Sequence, residues 1–318
     1  MRESRARPLV ESALLAALGA VLILFAFYVP LLGMIVALVS PLPVAMAVLR
    51  HGGRWGLLAS IVSTLALFPF VDWITALGLW IVYGWVGLAF GIAVRRRYSA
   101  GVVLVVTAFA LLLGTISGLV TSYIVTGLTP SDLIEEMIKA FEVALEMNRK
   151  VLGPNPQLDQ FAEALTQKDV LMKLLPASLV LASLMLAYVN IEVFRRVMPR
   201  FGFELEALPP FSRWLFPEIV AWIGLISYLG SPYLKNAAAR VAVENIFSVA
   251  SILGIVEAMS AFTFYLIRAN LPRVMVGFAL FFSVSVVFTS PGISLLGAFF
   301  GMIDMLFDFR HIRSGLLS

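Results

Sequence analysis

Long apolar segments separated by short polar ones dominate the pattern of this chain. Ten such segments lie between residues 9 and 309, and proline, glycine or clustered arginines mark most of their ends. About 20 consecutive apolar residues are enough for a helix to cross the hydrocarbon core of a bilayer. The pattern therefore predicts an all-α, polytopic transmembrane helix bundle with about ten spans. Eight spans fit as well, because removing one hairpin leaves both ends on their original side.

Composition supports the lipid bilayer as the solvent of this chain. Hydrophobic residues make up 61% and charged residues 13% of the sequence, whereas soluble domains average about 45–50% and about 25%. The chain has no cysteine and only two histidines, His51 and His311, each close to arginine. These features predict no metal site and no cofactor. With no phosphate loop and no nucleophile–histidine motif either, we expect neither an enzyme nor a nucleic-acid partner.

The arginines give the expected orientation. They recur in every second predicted loop, for example at residues 50–54, 95–97 and 195–200, and they flank both termini. Because cytoplasmic loops carry an excess of lysine and arginine, this spacing favours cytoplasmic N- and C-termini. We therefore expect a multi-pass protein of the bacterial cytoplasmic (inner) membrane.

The segments divide into two predicted regions. Residues 1–200 contain six spans and an external amphipathic segment over residues 129–169, and residues 201–318 contain four spans after a polar linker. In the external segment, Ser131 is the predicted helix cap. A break is expected at residues 153–156 and a second short helix over residues 158–165. A lid over a site and a solvated connector both agree with this segment.

Two features predict partner docking. Ala13, Ala16, Ala17 and Ala20 form small-xxx-small pairs in the first span, which permit close helix approach in lipid. Packing against a neighbouring helix of the same chain explains them equally simply. Asp304 and Asp308 share one helix face, which suits a cytoplasmic docking surface or an exposed helix end.

A second set of residues predicts a solute site. Asp72, Trp73, Trp80 and Tyr83 lie in or near the outer half of the fourth span, and an aromatic cavity with one acidic group suits a flat, polar-edged molecule. An interfacial aromatic belt is the alternative. Glu257 lies inside a predicted span, where an ionisable residue is costly and suggests function. It is either a proton or cation site or a hydrogen-bonded structural group.

Residues 11–20, the second span with Pro41 and Pro43, and residues 52–60 resemble the substrate-binding S components of energy-coupling-factor (ECF) transporters. That resemblance implies an alanine-rich first helix that contacts an ECF-type coupling subunit working with ATPases, and a solute held near the outer side. Over nearly its full length the chain resembles the YybS-like family of uncharacterised bacterial membrane proteins. The four additional spans depart from a standard S component.

Three hypotheses follow. The first is an S-component-like transport subunit that binds a small organic solute. The second is a non-transporting membrane scaffold or assembly factor, with Asp304 and Asp308 on its contact surface. The third is a secondary transporter that uses the carboxylate of Glu257.

Overall fold

A computed structural model describes residues 6–29, 31–153 and 166–316 of the protein. Within these residues every regular element is a helix, and no strand occurs. The prediction of an all-α membrane bundle is therefore confirmed.

The chain forms two compact units. Unit 1 comprises Met1–Met172 and Leu179–Leu208, and unit 2 comprises Lys173–Ser178 and Pro209–Ser318. Lys173–Ser178, a short piece of one long helix, thus belongs to unit 2.

Unit 1 contains most of the long apolar helices. Their bounds are α1 (Ala6–Tyr28), α2 (Leu32–Val39), α3 (Leu42–His51), α4 (Gly53–Leu65), α5 (Trp73–Leu79), a π-helical segment (Trp80–Gly84), α6 (Trp85–Arg95), α7 (Ala100–Thr126), α8 (Pro130–Leu152) and α9 (Lys168–Val197). The turn between α3 and α4 requires Gly52, whose φ of 104° is one that side chains rarely adopt.

The centre of unit 1 is an aromatic contact between α6 and α9. The rings of Phe90 and Phe194 meet edge to face with centroids 4.6 Å apart, and neither is exposed. Helices α3 and α6 approach closely because a Cβ on Gly87 would lie 2.5 Å from the carbonyl oxygen of Pro41. In lipid no hydrophobic effect drives helices together, and small residues of this kind permit the close packing that does.

The start of α8 differs from the prediction. Thr129, not Ser131, is the cap: its hydroxyl accepts the amide hydrogen of Asp132, and the Asp132 carboxylate accepts that of Thr129. Pro130 then occupies the first helical position, where its missing N–H is harmless. The helix ends at Leu152 before Gly153, at the break expected there. The second helix expected over residues 158–165 lies outside the described residues.

Unit 2 is built on three closely packed helices. Its elements are α10 (Glu218–Gly230), α11 (Ala237–Arg268), α12 (Arg273–Thr289), α13 (Pro291–Phe307) and the short α14 (Ile312–Leu316). A Cβ on Gly301 of α13 would lie 1.8 Å from the carbonyl oxygen of Gly254 in α11, so the two backbones touch. Ala221, Ala250, Met302 and Met305 fill the buried core between the helices.

The segment of α9 that belongs to unit 2 contains a helical turn in which a side chain replaces the direct backbone hydrogen bond. Pro176 lies inside the helix and lacks an N–H. The Asn245 side chain accepts the Ala177 amide hydrogen at 2.9 Å and donates to the Lys173 carbonyl at 2.7 Å. A regular α-helix would pair those two backbone groups directly. Asn245 therefore bridges this turn and joins it to α11.

Within the described residues, length and composition identify the helices that could cross a membrane. Six qualify on their own, and a seventh candidate is the pair Arg273–Val287 and Gly292–Phe307, bent by 118°. The prediction was about ten spans. Helices α4 and α10 have 13 residues each, about 20 Å of rise, which is shorter than a full hydrocarbon core.

Candidate functional site

The most deeply buried charges of the described chain form a network in unit 2. The Arg310 guanidinium contacts Glu257 of α11 and lies 2.8 Å from Asp304 of α13. The side chains of Arg310 and Glu257 are 0% exposed, and that of Asp304 is 1% exposed. Burial of charges at this depth is tolerated only when they are paired and fully hydrogen-bonded.

Arg310 meets that condition. Its Nε donates to Asp304, its Nη1 donates to the Ser212 carbonyl and the Ser260 hydroxyl, and its Nη2 donates to the Trp214 carbonyl and Glu257. Five donations match the five N–H groups of a guanidinium. Arg310 thus joins the segment before α10 to α11 and α13.

Backbone amides donate further hydrogen bonds to the two carboxylates. Glu257 accepts the Phe216 amide hydrogen at 2.9 Å, and Asp304 accepts that of Phe309 at 3.2 Å. The Glu257 carboxylate therefore lies between the residues before α10 and those after α13, and it is paired. The sequence reasoning missed Arg310 as its partner. The available signal was an arginine six residues after an intramembrane aspartate.

The two aspartates predicted to dock a partner point inward. Asp304 is 1% exposed because it holds Arg310, and Asp308 is 9% exposed. Asp308 adopts a φ of 45° and accepts the amide hydrogens of Ile312 and Arg313 at 3.0 and 2.8 Å. Asp304 thus holds Arg310, and Asp308 fastens the end of α13 to α14.

The predicted docking face on α1 is divided by the fold. Ala16 and Ala20 are 1% and 5% exposed, and Ala16 packs with Ala47 and Ala59 of α3 and α4. Ala13 and Ala17 are exposed. The Ala16/Ala20 pair is therefore internal. Of the two pairs, the Ala13/Ala17 pair remains available to a partner.

Asp72 has a structural contact in unit 1. Its carboxylate caps α5 by accepting the amide hydrogens of Ile74 and Thr75 and the Thr75 hydroxyl hydrogen at 3.0, 3.0 and 2.5 Å. The Thr75 hydroxyl, followed by its backbone amide, lowers the pKa of the Asp72 carboxyl below its usual value. Trp73 beside it is 64% exposed, which suits an interfacial aromatic residue.

Trp80 and Tyr83 lie deeper, in the π-helical segment that joins α5 to α6. The Trp80 indole covers Gly84, where a Cβ would lie 2.6 Å from Cδ1 of the ring and 3.4 Å from Cβ of Ser60 in α4. Tyr83 packs at the edge of a cluster that includes Ala20, Ile23 and Leu67. Single π-helical turns inside α-helices occur frequently at functional sites.

The indole nitrogen of Trp80 is the notable polar atom of this segment. It is buried and has no hydrogen-bond acceptor among the described residues. The ring of Trp85 lies 6.0 Å away, tilted by 54°. The indole N–H of Trp80 is therefore a donor that the described residues leave unsatisfied.

The five predicted solute-site residues are divided between the two units. Asp72, Trp73, Trp80 and Tyr83 belong to unit 1, whereas Glu257 belongs to unit 2. Over the described ranges, no three histidine or acidic side chains converge as metal ligands.

Comparison with known proteins agrees with the membrane architecture. The chain is 24% identical over 317 residues to the uncharacterized protein YybS of Bacillus subtilis (strain 168). The alignment covers 98% of this chain and 99% of that protein. No solved structure matches the chain. A family model described as "Predicted membrane protein (DUF2232)" matches residues 17–305. The protein is an integral membrane protein that belongs to this family.

Proposed function

We propose that unit 1 binds a small organic solute and serves as the non-enzymatic binding subunit of a transport system in the bacterial cytoplasmic membrane. The observation that carries this proposal is the buried, unsatisfied indole N–H of Trp80 in the π-helical segment. A buried donor without an acceptor costs about 1–3 kcal/mol. A solute carbonyl or carboxylate oxygen would remove that penalty on binding.

The surroundings of Trp80 specify the class of solute. The rings of Trp80 and Trp85 lie close together, and the partly buried Tyr83 packs against apolar side chains. Aromatic rings favour offset-stacked or edge-to-face contact with another flat ring. The solute is therefore a planar molecule with a hydrogen-bond acceptor at its edge.

The depth of the segment agrees with binding from outside. If the arginines after α6 are cytoplasmic, Trp73 lies at the outer end of this span. Trp80 is seven residues from Trp73 and 15 from Arg95, about 10 and 22 Å by helical rise. In that orientation the indole lies in the outer half of the membrane.

Native mass spectrometry of the protein, purified gently from its own host, tests the proposal. We expect a stoichiometric small molecule on the wild type, reduced on Trp80→Phe, which keeps the ring but removes the donor. Trp222→Phe is the matched control, because Trp222 lies in unit 2 and is 52% exposed. Absence of a solute from the wild type, or equal loss from both variants, would overturn the proposal.

An ECF-type coupling subunit with its ATPases is the proposed energising partner. Its contact would use the exposed Ala13 and Ala17 of α1. Ala13→Leu with Ala17→Leu should abolish co-purification of the coupling subunit while leaving the unfolding temperature unchanged. Ala16→Leu is the contrasting variant: it should lower that temperature, since Ala16 is internal. Recovery of other proteins in place of a coupling subunit would favour the scaffold.

The arrangement around Glu257 gives less support to secondary transport. Its carboxylate is held by Arg310 and by the Phe216 amide, and Arg310 is itself fully engaged. A proton-coupled carboxylate must exchange partners during transport, which this network resists. Glu257→Gln should therefore leave solute binding unchanged.

A further inference from the structure

The arginine-rich end of unit 1 contains an open cavity of about 680 Å³. One wall carries Arg7, Glu11, Arg50 and His51. The lining also includes the apolar side chain of Phe201, which is 45% exposed. A cavity that combines charged and apolar walls suits a ligand with the same division.

The position of the cavity is defined by helix ends. It lies at the N-terminal end of α1 and at the C-terminal ends of α3 and α9, three segments that are long and apolar enough to cross a membrane when α2 and α3 are counted together. These three ends meet, so they lie on one side of the membrane. Ends of spanning helices lie at the level of the lipid headgroups.

Among the described residues that line the cavity, two arginines contact one carboxylate. Glu11 is the shared acceptor of Arg7 at 2.9 Å, Arg50 at 3.3 Å and His51 at 2.9 Å. One carboxylate thus faces two guanidiniums and an imidazole. The Arg50 side chain is 37% exposed, and its contact with Glu11 is the longest of the three. Arg50 is the residue best placed to turn toward an incoming anion.

We propose that this cavity binds the phosphate headgroup of an anionic phospholipid. Arg50, assisted by Arg7, holds the phosphate, and Phe201 contacts the first methylenes of the acyl chains. Basic pockets between spanning helices on the cytoplasmic side recognise anionic headgroups in this way. The lipid is favoured over a free anion because an apolar wall adjoins the charged one at headgroup depth.

The test uses the full-length protein in micelles that contain equal amounts of phosphatidylglycerol and phosphatidylcholine. Native mass spectrometry then counts the retained lipids. We expect preferential retention of one phosphatidylglycerol, reduced roughly fivefold in Arg50→Gln, which is the factor for one arginine near an anionic surface. Arg50→Lys should retain most of the binding. Arg54→Gln is the matched control, since Arg54 is exposed but does not line the cavity.

Three results would overturn the proposal. The first is equal retention of both lipids by the wild type. The second is the same loss in Arg54→Gln as in Arg50→Gln, which would indicate a diffuse surface charge. The third is displacement of phosphatidylglycerol by excess inorganic phosphate, which would assign the cavity to a free anion. Unfolding temperatures of all variants exclude misfolding as the cause.

Discussion

Two glutamates in this protein sit beside arginines in opposite surroundings. Glu11 of unit 1 lies at the end of α1, with its side chain 24% exposed and its partner Arg7 78% exposed. Glu257 of unit 2 and its partner Arg310 are both 0% exposed. The same pair of residue types therefore forms an adjustable surface cluster in one unit and a fixed internal joint in the other.

Solvent access explains the difference. Water screens the charges around Glu11, so its partners can exchange at little cost. Around Glu257 every polar group depends on another protein group, and removal of one leaves the others buried without a partner. Burial, rather than residue type, decides which cluster can respond to a ligand.

Removal of Arg310 should have the largest effect. In Arg310→Gln, two buried carboxylates lose their shared cation, and loss of one partner from a buried ion pair costs about 3–5 kcal/mol. We expect a large fall in the thermal unfolding temperature of the detergent-solubilised protein, with unit 2 affected first. Proteolysis within residues 209–318 provides an independent readout.

Glu257→Gln sharpens this prediction. The network contains two carboxylates and one guanidinium, so the amide variant removes negative charge while keeping an acceptor for Phe216. It should destabilise unit 2 less than Arg310→Gln. A larger loss in Glu257→Gln would contradict the assignment of Arg310 as the central member of the network.

The stability of unit 2 should depend almost as strongly on the contact between α11 and α13 as on the Arg310 network. Gly301→Ala places a Cβ 1.8 Å from the Gly254 carbonyl oxygen, so the helices must separate, at about 1–3 kcal/mol for an overpacked core. Gly297→Ala is the matched control on the same helix, because its Cβ would meet Ile255 at 3.9 Å. Equal unfolding temperatures for the two variants would refute the close approach.

A smaller loss of stability is expected when the Asn245 side chain no longer bridges the turn of α9 at Pro176. Asn245→Leu leaves the Ala177 amide and the Lys173 carbonyl without their side-chain partner, and each unsatisfied buried group costs about 1–3 kcal/mol. Direct pairing of the two backbone groups would recover part of this, so we expect a smaller loss than in Gly301→Ala. Ser248→Ala is the control, since Ser248 is bonded only within its own helix turn. Faster hydrogen exchange at Ala177 would be the specific sign.

The sequence predicted the elements better than the contacts between them. Apolar segment length gave the helical membrane architecture, because lipid requires backbone groups to be satisfied within each segment. Of the described helices, six to seven are long and apolar enough to span, against about ten expected, since α4 and α10 are apolar but only 13 residues long. Apolarity alone does not distinguish a spanning helix from a shorter one packed inside the bundle.

The candidate sites were harder to predict for the same reason. Glu257 was recognisable as an intramembrane carboxylate, but its partner Arg310 is 53 residues away and becomes adjacent only when α11 and α13 pack. The alanines of α1 have a spacing that fits both faces of the helix, and only the fold separates the internal Ala16 from the exposed Ala17. The π-helical segment at Trp80 left no signal beyond its aromatic residues.

Substitution of Glu11 should have the smallest effect on stability and completes the comparison. Glu11→Gln keeps the side-chain shape and leaves Arg50, whose side chain is 37% exposed, to be solvated by water. We expect no change in unfolding temperature beyond that of Arg54→Gln, and any difference should shrink further in high salt. A fall comparable to that of Arg310→Gln would mean that the cluster around Glu11 supports the fold. The surface charges of unit 1 would then be as fixed as the buried ones of unit 2, and exposure would not be what separates a responsive cluster from a structural one.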